Sequence, residues 1–199
     1  RIDAIGYDGK TRGDLTTYWE GLEHLSRDRS ATIPAARLFE HDFVSRNLVA
    51  NVSGAIFRKP LLTQKERDRL TSYRFAGDWY FYALVLRGGQ FAYRRLARAQ
   101  FRVHDTSRSR SSLSGDLHLS EHARVLADIA AEYGLSHRGI EAHCQRLSQI
   151  FPAERLERFQ SAVAPLVSVK DRPLRVCIGA DSFRPGGGEK VPLHLANAL

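Results

Sequence analysis

Apolar residues recur at helical spacing between residues 115 and 168, which predicts three amphipathic helices. The first helix should stop at Gly134, because glycine commonly follows the last turn of a helix. Ser136 can cap the second helix, and Pro152 fits the first turn of the third. The predicted inward positions are Leu119, Ala123, Leu126, Ile129, Tyr133, Ile140, Cys144, Leu147, Phe151, Leu156, Phe159 and Val163.

The pattern between residues 47 and 104 is denser and more varied. Asn47–Arg58 predicts a turn entering a strand, and a short helix is expected to start at Thr63. The aromatic and aliphatic run Asp78–Leu86 predicts a helix that opens at Asp78 and closes at Gly88-Gly89. Short strands are predicted at Gln90–Tyr93 and Ala99–Val103.

The flanking segments have weaker patterns. Residues 1–46 are mixed and polar, with one helix-like stretch at Thr16–Leu25. Residues 105–114 are rich in Ser and Arg, a composition that cannot bury a core and predicts a loop. Residues 169–173 are interpreted as a linker. In 174–199 a β-rich run, a glycine loop and a helix start follow one another, as at the beginning of a doubly wound α/β domain.

Composition narrows the function classes. The chain has 199 residues, 43% of them hydrophobic and 26% charged, which is typical of a globular protein rather than a disordered one. No apolar run is long enough for a membrane span. Its two cysteines lie far apart, which fits a reducing cytoplasm. The chain begins without Met or a signal peptide, and we interpret it as a fragment of a longer protein.

A formal net charge of +8 leaves three interpretations open. It can be a solvated basic surface, an attraction to an anionic substrate or membrane face, or a sign of nucleic-acid binding. No zinc-finger spacing or RNA-recognition signature accompanies the charge, which argues against the third interpretation.

Several residues could carry chemistry, although each also has a structural explanation. Asp78 at a helix N-terminus could act as a general base, or it could simply cap the helix. Trp79 offers a flat face for a sugar ring, or it could be a core residue. His104 could ligate a metal or contact a phosphate, or it could be an ordinary surface histidine.

Two small-residue segments are also candidates for ligand contact. Asn51, Val52, Ser53 and Gly54 supply small polar groups that let a ligand approach the backbone closely, unless they form a plain turn. Gly187 and Gly188 could cradle a phosphate if a helix follows directly, unless they belong to a flexible turn.

Read together, these segments resemble a known family. The order Asn51–Arg58, Ala76–Leu84, Gly88–Tyr93 and Phe101–Ser107 resembles the C-terminal half of family 2 glycosyltransferases with the GT-A fold. The resemblance implies that Asp78 is the catalytic base and that Trp79 and Asn51–Gly54 lie on the acceptor side. It also implies that His104 contacts a divalent metal, Mg²⁺ or Mn²⁺, or the donor pyrophosphate.

The tail, residues 174–199, looks like the opening of a family 4-type glycosyltransferase with the GT-B fold. In that family the glycine loop, here Gly187 and Gly188, lies near the donor phosphates or the acceptor. The Asp-x-Asp metal motif of family 2 enzymes occurs nowhere in the chain. The fragment alone is therefore not expected to turn over.

The expected fold class is α/β. Residues 1–114 would be the C-terminal half of a GT-A domain, 115–168 a helical extension, and 174–199 an incomplete Rossmann-like start. The expected function is transfer of a sugar from a nucleotide-sugar donor to a glycan or lipid-linked acceptor in surface polysaccharide synthesis. The protein would act in the cytoplasm or, as a peripheral protein, at the inner membrane face, and would not bind nucleic acid. The alternative is a basic nucleic-acid-binding or helical interaction module without catalytic activity.

Overall fold

The computed structural model describes residues 2–6, 8–14, 19–26, 28–97, 99–102 and 115–167. They lie within a compact unit that extends from Arg1 to Ser168. The described strands are β1 (Ile2–Ile5), β2 (Thr11–Asp14), β3 (Ala31–Pro34), β4 (Gln90–Tyr93) and β5 (Ala99–Arg102). The described α-helices are α1 (Ala35–Glu40), α2 (Asp42–Ser45), α3 (Gln64–Thr71), α4 (Gly77–Val85), α5 (Asp116–Tyr133), α6 (His137–Leu147) and α7 (Ala153–Val163).

The strands form two small sheets. In the first sheet the order is β2-β1-β5, where β1 runs antiparallel to β2 and parallel to β5. In the second, β3 and β4 pair antiparallel, with Ala31 opposite Tyr93 and Pro34 opposite Gln90. A parallel pair beside antiparallel pairs, combined with helices, confirms the α/β class.

The three predicted C-terminal helices are confirmed as α5, α6 and α7. Gly134 ends α5 at a φ of 75°, a conformation that favours glycine. Ser136 caps α6, because its hydroxyl accepts a 2.9 Å hydrogen bond from the backbone N–H of Gly139. All predicted inward positions are buried except Ala123 and Tyr133, which are partly buried.

These helices share one hydrophobic core with the preceding part of the chain. Helix α5 packs on α4, and α6 packs on α2. Phe39 of α1 stacks on Tyr133 of α5, with ring centroids 3.7 Å apart. Segment 115–167 is therefore packed against the elements that carry the candidate site.

Helices α3 and α4 agree closely with the sequence prediction. Thr63 caps α3 through a capping box, in which Glu66 N–H donates to the Thr63 hydroxyl and Thr63 N–H donates to the Glu66 carboxylate. Helix α4 begins at Gly77, so Asp78 lies within its first turn and is not its cap. The capping residue is Ala76, whose side chain makes no capping hydrogen bond.

Two predicted elements are not formed. The described part of the helix-like stretch Thr16–Leu25, residues 19–25, contains no α-helix, and Gly21 has a φ of 72° that interrupts regular helix. The strand expected within Asn47–Arg58 is also absent from the described structure. Its place is taken by a 3₁₀ turn at Val52–Gly54, closed by a 3.0 Å bond from Gly54 N–H to the Asn51 carbonyl.

Each helix in the described part of the chain is too short or too polar to span a lipid bilayer. The predicted loop at 105–114, the linker at 169–173 and the Rossmann-like start at 174–199 lie outside the described residues.

Candidate functional site

A cleft of about 840 Å³ opens between the chain that follows α2, the later turns of α4, and β4. Trp19 is one of its lining residues. Its indole N–H donates a 3.0 Å hydrogen bond to the Leu48 carbonyl, and its ring meets Tyr93 edge-on at 4.8 Å. The described lining residues are Trp19, Leu48, Val49, Ala50, Asn51, Gly54, Ala55, Ile56, Phe57, Arg58, Tyr82, Val85, Leu86, Gly89, Gln90, Phe91, Ala92, Tyr93, Arg94, Ala97 and Ala99.

One wall of the cleft contains part of the predicted acceptor segment. Asn51 and Gly54 line the cleft, whereas Val52 points largely into solvent and is not among the described lining residues. Ser53 lies in the same 3₁₀ turn. The turn lies against β5, whose described part ends at Arg102. His104, the predicted metal ligand, lies outside the described residues.

The opposite wall is built by α4 and β4. Tyr82 and Val85 line the cleft from the later turns of α4, and Leu86 lines it directly after the helix. Phe57 crosses from the first wall and packs edge-on against Tyr82, at 6.3 Å between ring centroids. The turn after α4 is fixed because Ala35 N–H donates a 3.0 Å hydrogen bond to the Gly89 carbonyl.

Asp78 lies beside this cleft and not among its described lining residues. Tyr82 follows Asp78 by one helical turn, on the same side of α4. The pKa of the Tyr82 hydroxyl is raised, chiefly by burial and further by the negative charge of Asp78. The negative charge of Asp78 therefore acts on the hydroxyl of Tyr82, a residue that lines the cleft.

The Asp78 carboxyl also has a perturbed acidity. Partial desolvation raises its pKa and outweighs the hydrogen bonds from the backbone N–H groups of Trp79 (2.7 Å) and of Asp78 itself. The residue is nevertheless exposed at the surface. These two observations are compatible, because an accessible carboxylate that is crowded on one side by protein keeps only part of its hydration. A carboxylate of this kind is a stronger proton acceptor than an ordinary surface aspartate.

The first turn of α4 is held in place by Glu121, a residue that the sequence reading did not single out. Its carboxylate, in a residue only 1% exposed, accepts hydrogen bonds from the backbone N–H groups of Arg74 (2.7 Å), Phe75 (2.7 Å) and Ala76 (3.0 Å). Burial alone would raise the pKa of Glu121, but the three backbone donors together lower it. The sequence contained one signal for Glu121, which is an acidic residue on the apolar face of a predicted helix.

Trp79 does not fit its predicted role as an acceptor platform. The residue is 2% exposed, and its indole N–H donates a 2.9 Å hydrogen bond to the Phe43 carbonyl. The ring packs against the imidazoles of His122 and His143, at 5.4 and 5.3 Å between centroids. A sugar could not reach its face in this position, and Trp79 instead anchors α4 to α2.

The histidines around Trp79 form a neutral buried cluster. Burial lowers the pKa of His143 to about 4 and that of His122 well below its ordinary value. His143 Nδ1 donates to the Ser45 carbonyl at 2.8 Å, so its Nε2 must accept from His122 Nδ1–H at 3.1 Å. The cluster is thus internally hydrogen-bonded.

Within ranges 2–6, 8–14, 19–26, 28–97, 99–102 and 115–167, no group of three or more His, Cys, Asp or Glu side chains is arranged to hold a metal ion. Gly187 and Gly188, the predicted phosphate-binding residues, lie outside these ranges. Comparisons with protein families, with curated proteins and with solved structures found no match for this chain.

Proposed function

We propose that this chain forms the acceptor-side part of a GT-A glycosyltransferase, which moves a sugar from a nucleotide-sugar donor to a glycan or lipid-linked acceptor. One arrangement supports the proposal most strongly. The Asp78 carboxylate, whose pKa is raised by partial desolvation, lies one helical turn from Tyr82, and Tyr82 shares a cleft with Asn51 and Gly54. Three segments that resemble the family in sequence therefore meet around one cavity.

The reaction assigned to Asp78 is proton removal from an acceptor hydroxyl. As the acceptor oxygen bonds to the anomeric carbon, its proton passes to the Asp78 carboxylate. The bond from the anomeric carbon to the donor phosphate breaks, and the electron pair leaves with the nucleoside diphosphate. A positioned base of this type typically contributes about 10²–10⁴-fold to the rate.

The donor side of the reaction rests on the family resemblance alone. His104 is the candidate ligand for Mg²⁺ or Mn²⁺, and Gly187 and Gly188 are candidates for phosphate contact in a second, family 4-type domain. No step attributed to Asp78 depends on the metal. The enzyme is proposed to act in the cytoplasm and at the inner face of the membrane, where precursors of surface polysaccharide are assembled.

The proposal is tested by measuring whether the natural protein turns over nucleotide sugars. The protein is incubated with UDP-, GDP- and dTDP-sugars, Mg²⁺ or Mn²⁺, and glycan or lipid-phosphate acceptors, and nucleoside diphosphate release is followed. We expect acceptor-dependent release with at least one donor. Absence of release across the panel by a folded protein would overturn the proposal.

A further inference from the structure

The charged residues among the described lining of the cleft are all basic, although the acidic Asp78 lies one helical turn before the lining residue Tyr82. None of its described lining residues is acidic, whereas Arg58 and Arg94 both line it. The sequence reinforces this asymmetry, because neither residues 43–65 nor residues 79–104 contain any Asp or Glu. The walls formed by these two segments therefore favour an anionic ligand.

Arg58 and Arg94 also differ from other arginines of the fold. Both are exposed, and within the described part of the chain neither guanidinium has a hydrogen-bond or ion-pair partner. By contrast, Arg69 makes two hydrogen bonds to Asp128, and Arg87 bridges Glu66 and Glu132. Two arginines that line one cavity and have no guanidinium partner among the described residues are candidates to receive the oxygens of a phosphate.

The rest of the lining combines apolar side chains with the polar residues Asn51 and Gln90. Val49, Ile56, Val85 and Leu86 contribute aliphatic surface, and the Ile56 side chain is fully exposed at the cleft. A volume of about 840 Å³ is within the range of cavities that enclose ligands of drug size. The cavity therefore combines room for an apolar body with an anion-binding pair of arginines.

We propose that this cleft binds a phosphate-bearing amphiphile, with its apolar chain against the aliphatic wall and its phosphate between Arg58 and Arg94. The inference rests on the proposed function, which it narrows by making the acceptor a lipid phosphate.

The lining favours an amphiphile over a nucleic-acid strand. A single strand is held by a track of cations and by aromatic faces open for base stacking. Here Phe57 meets Phe81 edge-on at 5.3 Å, and Trp19 meets Tyr93 edge-on at 4.8 Å, so the rings pack on one another.

Isothermal titration of the 199-residue chain with three probes tests the proposal. Octyl phosphate carries both features, octyl glucoside carries the chain alone, and inorganic phosphate carries the anion alone. Each is used below its micelle concentration where one exists. We expect octyl phosphate to bind at least about tenfold more tightly than octyl glucoside, since one charge-assisted contact contributes about that factor. It should exceed inorganic phosphate by at least about the same factor, because only octyl phosphate buries an apolar chain. Equal or weaker binding of octyl phosphate would overturn the proposal.

Substitutions locate the site. Arg58→Gln and Arg94→Gln should each weaken octyl phosphate binding about tenfold. Arg158→Gln is the control, because Arg158 is exposed on α7 and pairs only with Glu154 of the same helix among the described residues. Equal losses in all three variants would contradict the assignment. Binding of octyl phosphate is measured without donor or turnover, so a wrong catalytic assignment and a wrong ligand give different results.

Two further ligands separate the remaining sources of affinity. Vesicles containing phosphatidylglycerol present phosphate only on a bilayer, and a twelve-nucleotide single strand presents it on a polymer. If either binds the chain while octyl phosphate does not, the ligand class proposed here is wrong. Preference for octyl phosphate over both, lost in the Arg58 and Arg94 variants, supports it.

Discussion

Glu121 and Ala76 are joined by a 3.0 Å hydrogen bond, in which the backbone N–H of Ala76 donates to the Glu121 carboxylate. Ala76 immediately precedes α4, so this bond fixes the direction in which the helix starts. Asp78 lies two residues further on. The position of the candidate base therefore depends on a buried carboxylate from α5, 43 positions later in the sequence.

Glu121→Gln should destabilise the fold by roughly 2–3 kcal/mol, because an amide NH₂ group would face backbone donors that now reach a carboxylate oxygen. The measurement is urea unfolding at neutral pH. Glu154→Gln, at an exposed position, is the matched control and should change stability by less than about 0.5 kcal/mol.

The pH dependence of the stability difference between wild type and Glu121→Gln gives a second check. The pKa of Glu121 is lowered in the fold, so its stabilising contribution is present above the unfolded-state pKa, about 4.3 for Glu. It is lost as the pH falls through the lower folded-state pKa. The stability gap between wild type and Glu121→Gln should therefore narrow in acid, and a constant gap would contradict the assigned role.

The histidine cluster predicts a separate acid sensitivity. Since burial lowers the pKa of His143 to about 4, the unfolded chain binds a proton there near pH 6.5 while the folded chain stays neutral. Stability should thus be full above pH 6.5 and fall by roughly 3 kcal/mol as the pH drops from 6.5 to 4. Urea unfolding across this range measures the slope.

His143→Asn can still donate to the Ser45 carbonyl but does not titrate, so it should flatten this slope. The exposed His137→Asn variant should leave it unchanged. If His143→Asn left the slope unchanged, protonation of other groups would be the cause of the loss of stability in acid.

The two tryptophans offer a matched comparison, because each indole donates to a backbone carbonyl. Trp79→Phe should cost roughly 2–4 kcal/mol, since it leaves the Phe43 carbonyl unpaired and a gap in the core. Trp19→Phe, at a partly buried position, should cost about 1 kcal/mol and should instead weaken ligand binding in the cleft. Thermal unfolding measures the loss of stability, and titration with octyl phosphate measures the loss of binding. If Trp79→Phe weakened binding and Trp19→Phe did not, Trp79 would be restored as a ligand platform.

The helical part of the fold could be predicted from sequence because its signals are local. Apolar spacing, Gly134 and Ser136 define α5 and α6 within a few residues. The first sheet depends on pairing between distant segments, since Ile2 lies opposite Ala99. Neither β1 nor β2 has an alternating apolar pattern, so nothing local marks them as strands.

The candidate site likewise has features that could be predicted from the sequence and features that could not. Asn51 and Gly54 were predicted and line the cleft, because their position follows from a tight turn. The burial of Trp79 could not be predicted, since spacing alone does not distinguish an exposed ring from one that reaches the Phe43 carbonyl. Arg58 and Arg94 were missed, although the absence of acids in the surrounding sequence was a readable signal.

The rate of sugar transfer by Asp78→Asn tests the central claim most directly. It is measured in the natural protein at saturating donor and acceptor. Asp116→Asn is the control, because Asp116 is also an exposed aspartate in the first turn of a helix. We predict that kcat falls about 10²–10⁴-fold for Asp78→Asn, with unchanged unfolding, and stays near wild type for Asp116→Asn. Near-wild-type transfer by a folded Asp78→Asn protein would contradict the account.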